Sequence, residues 1–212
     1  METRKSLLLQ AKSGPDSDAW FELLTIYQPL ISGWVSRAGI ATSEVGDISQ
    51  EVLQTVAKEL PDFDHNGRKG AFRSWLKTIA INRCRRYWDW KKKQVPLSSI
   101  NEQANEIQLL NELSDPESTM SKNWDREHDQ YVLQKIVAMV ENQFDSRTSE
   151  IFSRYTIAGE DAQGVAELLN VSVGMVYKTK FKVIRWIREV ASDLIDVDAT
   201  LASNLNDSSF GS

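Results

Sequence analysis

Cysteine is nearly absent. Cys84 is the only one in 212 residues, so no disulfide can form within the chain. Histidine is almost as scarce, and His65 and His128, with that single thiol, give no metal-ligand spacing. Cys84 reads instead as a small buried hydrophobe on the apolar side of its helix. Proline and glycine are few, five and ten, and they fall between periodic segments rather than inside them. No alternating apolar–polar run marks a strand. No apolar run approaches the ~20 residues that span a bilayer, and the three-leucine run Leu7–Leu9 is too short for a signal-peptide core. The expectation is a cytoplasmic protein with no membrane insertion. A phosphate-cradling glycine loop, a dinucleotide fingerprint and a nucleophile elbow are all missing. With no catalytic group, metal or cofactor to assign, the chain reads as no enzyme.

What is present is charge in unexpected places. The chain is acidic overall, with a formal net charge of −5. Yet the stretch FRSWLKTIAINRCRRYWDWKKK, Phe72 to Lys93, holds eight cations against one acid, Asp89, together with Trp75, Tyr87, Trp88 and Trp90.

The periodicity is helical nearly throughout, which predicts an all-α protein. Asp16 or Ser17 can cap a helix from Asp18 carrying Trp20, Phe21, Leu24 and Tyr27, with Pro29 as a kink or restart. Thr42 or Ser43 can cap a second, Glu44 to Leu60, with Val45, Ile48, Val52, Val56 and Leu60 as its stripe. Pro61 to Ala71 is a loop. From Gln94 to Asn123 the composition turns acidic and polar, with Pro96 and Pro116, and at most a short helix near Ile107 to Leu113 is expected. A second helical block follows. The reading is two small helical domains joined by a flexible acidic linker: 1–93, then the linker 94–124, then 125–195 containing a helix-turn-helix, and a frayed tail 196–212.

Three constellations could carry function. In the basic aromatic helix and its preceding loop, lysine and arginine can neutralise phosphates, and aromatic faces can stack on unpaired bases. In Asp161 to Val190, Ala166 stands where two helices cross closely. Asn170-Val171-Ser172 makes a turn, and Ser172 caps a helix with Val173, Val176, Ile184 and Ile187 inward. That is a helix-turn-helix pattern, its second helix suited to a major groove, against a plain helical hairpin. The third is the polar side of the helix from Glu44: Asp47, Gln50, Glu51 and Gln54, which by itself reads as solvated surface.

The succession DISQEVLQTVAKELPDF, FRSWLKTIAINRCR, acidic linker and VAELLNVSVGMVY resembles a bacterial RNA polymerase sigma factor of the sigma-70 family, in the extracytoplasmic-function (ECF) group. The resemblance implies a transcription initiation factor that binds core RNA polymerase, directs it to promoter DNA and helps melt the minus-ten region. It implies that Asp47, Gln50, Glu51 and Gln54 meet the polymerase. Minus-ten contacts fall to Asp64, His65, Asn66, Arg68, Lys69, Arg73, Lys77, Asn82, Arg83 and Arg86. Minus-thirty-five contacts fall to Ser172, Gly174, Met175, Tyr177, Lys178 and Lys182. An anti-sigma factor is an expected partner. The sequence departs from the family at Arg86, where an acid is common, at Phe144-Asp145, where Leu-Pro is common, and at Met175, Tyr177 and Lys180. The alternative reading is a stand-alone helix-turn-helix regulator that binds duplex DNA.

Overall fold

The computed structural model describes residues 6–64, 68–94 and 100–206. Among these residues every regular element is helical: α1 Leu7–Ala11, α2 Asp18–Arg37, α3 Thr42–Glu59, α4 Ala71–Gln94, α5 Ile100–Ser114, α6 Thr119–Ala138, α7 Val140–Gln143, α8 Ser146–Phe152, α9 Ala162–Leu168, α10 Val173–Ala191 and α11 Val197–Asn206. The chain divides into two compact units. One is Leu7–His128; the other is the remainder from Asp129, together with Met1–Ser6. The division falls inside α6.

In the first unit, α2, α3 and α4 pack on one another. Ser17 caps α2, accepting a hydrogen bond from the Trp20 amide, and the helix runs through Pro29 without stopping. Its inward residues include Trp20, Leu23, Tyr27, Ile31, Trp34 and Val35, whereas Phe21, expected in the stripe, is 56% exposed. The α3 N-cap is Ala41, so neither Thr42 nor Ser43 serves as its cap. Gly39 follows α2 at φ +78, and a Cβ there would meet Glu106 Cγ at 2.6 Å and Trp88 at 3.2 Å. Only glycine allows that conformation and that close approach together. Trp88 Nε1 donates to the Ala38 carbonyl at 3.1 Å, which fixes the end of α2 on α4.

The expected linker is largely structured. Within its described residues, α5 spans Ile100–Ser114 and α6 begins at Thr119, and α5 packs on α4. Its polar, acidic composition masks a narrow apolar stripe, and Leu110 on that stripe is fully buried. The expected frayed tail likewise carries α11, with Val197 and Thr200 buried.

In the second unit, Ile151, Val165, Ala166 and Val176 form a core shared by α8, α9 and α10. Asp145 caps α8, Asp161 caps α9 and Ser172 caps α10, each side chain accepting from backbone amides of the first turn. The turn between α9 and α10 contains Asn170 at φ 51, a left-handed position that asparagine tolerates. α8 ends in a wide turn over Ser153–Ile157, where the Ala158 amide reaches back to the Ser153 carbonyl at 2.8 Å.

Two consequences are testable. Burial pushes the Cys84 thiol up to about 12, and the thiolate is the reactive form. Alkylation of Cys84 should therefore be negligible in the native protein at pH 8 and should track unfolding in urea. Ala166 sits at a close helix crossing, so Ala166→Leu should overpack it. The expected loss is about 1–3 kcal/mol, read from urea denaturation midpoints.

Candidate nucleic-acid interface

The first unit presents two neighbouring polar surfaces. On α3, Asp47, Gln50, Glu51 and Gln54 are all exposed. They recur at three- and four-residue steps and so share one face. Val52 and Val56 are buried on the opposite side, where they hold α3 against the core. On α4, Arg83 joins that face: its Nη1 stands 3.4 Å from Glu51 Oε2, and its Nη2 donates to Thr55 Oγ1 at 2.8 Å. Asn82 and Arg86 are exposed on α4. Further along, Tyr87 donates to Glu44 Oε2, and burial together with that carboxylate raises its phenol above the usual range. Trp90 is 48% exposed near the C-terminal end of the helix.

The loop before α4 is built on aromatic packing. Phe63 lies 4.8 Å from Trp75 and 5.8 Å from Phe72, ring to ring. Gly70 adopts φ +73 beneath the Arg73 guanidinium, where a Cβ would stand 2.8 Å from Nη2. Asp64, Arg68 and Lys69 are exposed. His65 and Asn66 lie outside the described residues.

Two of the cations expected to face DNA are differently placed. Lys77 is only 8% exposed. Its Nζ donates to Ser121 Oγ and to Asp125 Oδ1 at 3.2 Å, and it lies 4.7 Å from the Trp124 ring. Desolvation lowers its pKa from the usual lysine value, with Asp125 opposing that shift. Arg73 Nε stands 3.4 Å from the same Asp125 oxygen, with its side chain 18% exposed. Both therefore face α6 rather than solvent. The sequence concealed this because their partners lie some fifty positions on, where the segment read as linker meets the block read as the second domain. His128 is also a structural surprise. It is fully buried, its Nε2 is 3.2 Å from Tyr27 Oη, and its ring stacks 6.0 Å from Trp124. Among the described residues no group of histidine, cysteine and carboxylates could hold a metal ion.

In the second unit, Ser172, Gly174, Met175, Tyr177, Lys178 and Lys182 are all exposed along the start and outer face of α10. Tyr177 sits edge-on to Tyr155 at 5.6 Å, and Lys182 lies over the Phe144 ring at 5.1 Å. The inward register matches the expected one at Val176 and Ile187 and differs from it at Val173 and Ile184. Val176, Thr179, Val183, Trp186, Ile187 and Val190 are buried, while Val173 is 38% exposed and Ile184 only half-buried. Thr179 gave no apolar signal, and Val183 and Ile184 are adjacent, so the stripe could be read one residue out. The true register turns Phe181 outward among Lys178, Lys182 and Arg185, and it is 71% exposed. Phe181 was absent from the expected DNA-facing set.

Residues 23–94 match the sigma-70 region 2 family, about a third of the chain. The match runs from within α2 to the end of α4 and so takes in both polar surfaces of the first unit. It supports an RNA polymerase sigma factor of the sigma-70 family. No curated protein matches the chain. Among the described residues no helix is long and apolar enough to cross a membrane.

The exposure of Phe181 carries its own check. Phe181→Ala removes no core contact, so its thermal unfolding midpoint should match wild type, a stability change within about 0.5 kcal/mol. A drop of several degrees would mean that the side chain packs inward.

Proposed function

We infer that this chain is a promoter-specificity subunit of the ECF group, without catalysis of its own. The observation that carries the reading is the exposed α3 face of Asp47, Gln50, Glu51 and Gln54, tied to α4 by Arg83, inside the segment matching sigma-70 region 2. In this reading that face docks on core RNA polymerase. The adjoining stripe of Asn82, Arg83 and Arg86, with the loop from Asp64 to Lys69, holds the minus-ten element.

The helix, turn and helix of α9 and α10 act as a helix-turn-helix on the minus-thirty-five element. Met175, Tyr177 and Lys178 near the start of α10 are within reach of base edges, and Lys182 and Arg185 contact phosphates. Phe181 joins this set, since an apolar ring can pack on a thymine methyl. An anti-sigma factor would act by covering the α3 face or α10. Keeping the chain acidic overall while concentrating cations on DNA-facing helices makes DNA binding conditional on the polymerase.

The test is binding to core enzyme. Glu51 also pairs with Arg83, so Asp47→Arg is the cleaner charge reversal. It should weaken binding to core RNA polymerase about tenfold or more, roughly 1.4 kcal/mol, with unchanged circular dichroism. Wild-type protein that ignores core enzyme but shifts duplex DNA by itself would point to the stand-alone regulator.

A further inference from the structure

One line of side chains on α10 points away from the core. Val173, Tyr177 and Phe181 follow one another at four-residue steps and so share a face of the helix. They are 38%, 45% and 71% exposed. Val176, Val183, Ile187 and Val190 are buried and fix the inner side. At about 3.6 residues per turn, Phe181 and Gly174 fall on the side opposite. A single exposed apolar residue is ordinary, but an aligned set rimmed by charge marks a surface that meets another molecule.

Two observations say what this face meets. The first is Gly174. A Cβ there would meet nothing nearer than Ser172 Oγ at 3.9 Å, and the residue lies in regular helix. The fold has no need of glycine at a position where alanine would favour the helix. What remains is the close approach of a second molecule. The second observation is charge. Lys178, Lys182 and Arg185 stand exposed beside the rings, and α10 carries no acid before Glu189. The fitting partner is a polyanion.

The rings then say which part of the polyanion is read. Arginine, the commonest reader of guanine edges, does not occur on α10 before Arg185. The centre of the outer face holds aromatic rings instead. The apolar feature that base edges offer in the major groove is the C5 methyl of thymine. Tyr177 is held ready for it: Tyr155 meets its ring edge-on at 5.6 Å, and Lys180 Nζ stands 5.1 Å from the Tyr155 ring. Residues four apart are separated by about 6 Å along a helix, close to two base-pair steps of about 3.4 Å.

We propose that Tyr177 and Phe181 are methyl readers. They select thymine in the minus-thirty-five element by packing on its C5 methyl, at two pyrimidines about two steps apart, and they accept 5-methylcytosine in its place. This rests on the helix-turn-helix reading above and names the bases that it selects. Lys182 and Arg185 supply affinity through phosphates, and the methyls supply sequence preference.

The test uses holoenzyme assembled from the full-length chain and core RNA polymerase. Duplexes randomised over the minus-thirty-five region are selected first, and the selected sequence should contain thymines. Each is then replaced by uracil, which removes the methyl and keeps the pairing. Binding should weaken about fourfold at two of them, the worth of one buried carbon. Phe181→Ala should bind thymine and uracil duplexes alike at one of the two positions and Tyr177→Ala at the other, whereas Tyr177→Phe should keep the difference. At the same positions 5-methylcytosine should bind about fourfold tighter than cytosine. Uracil tolerated everywhere, a selected sequence without thymine, or discrimination that survives both alanine variants overturns the methyl readers and leaves the promoter reading standing. Holoenzyme that forms but selects no minus-thirty-five sequence overturns the helix-turn-helix reading and the methyl readers together.

Discussion

A lysine ammonium held out of water by a helix is the contact on which the first unit turns. Lys77 is surrounded by Ser121, the Trp124 ring and Asp125. Removing such a charge from solvent costs several kcal/mol, and its attraction to a carboxylate only roughly offsets that. The contact is therefore a matter of specificity more than of net stability. It dictates where α6 must lie along α4. The aromatic cluster of Tyr27, Trp34, Trp124 and His128 then forms beside it.

α4 consequently works on three sides. One side, with Phe72, Leu76, Ala80, Cys84 and Tyr87, belongs to the core. A second, with Arg73, Lys77 and Arg85, belongs to α5 and α6. Only the third, marked by Asn82 and Arg86, is left to solvent. A helix with so little apolar asymmetry can still be rigid, because each side has a partner or a task. Arg83 stands at the seam between core and solvent. It ties the α3 face to the α4 stripe, so two surfaces proposed for different partners share one hydrogen-bonded residue.

The helices themselves were legible where an apolar stripe recurs strongly, as in α3, and the caps Ser17 and Ser172 were legible from residue type. Legibility failed where the signal is long-range or thin. Among the described side chains of α5 Leu110 is the buried one, so its acids dominated the reading. The register of α10 was legible at Val176 and Ile187 but not between them, because the buried Thr179 carries no hydrophobic signature. The polar face of α3 was easy to find as a pattern, yet spacing alone could not separate a docking surface from a solvated one. Lys77 and Arg73 were found as cations but misplaced, since only the folded chain brings Asp125 to them.

The wide turn at Ser153–Ile157 matters for chain length. A turn closed by five-residue steps holds one residue more than an α-helical turn needs. The surplus residue is absorbed inside the turn, and Tyr155 projects from it to brace Tyr177 on the outer face of α10. Losing one residue there would turn the bulge into ordinary helix and re-aim Tyr155, so the brace depends on the spacing of that one turn.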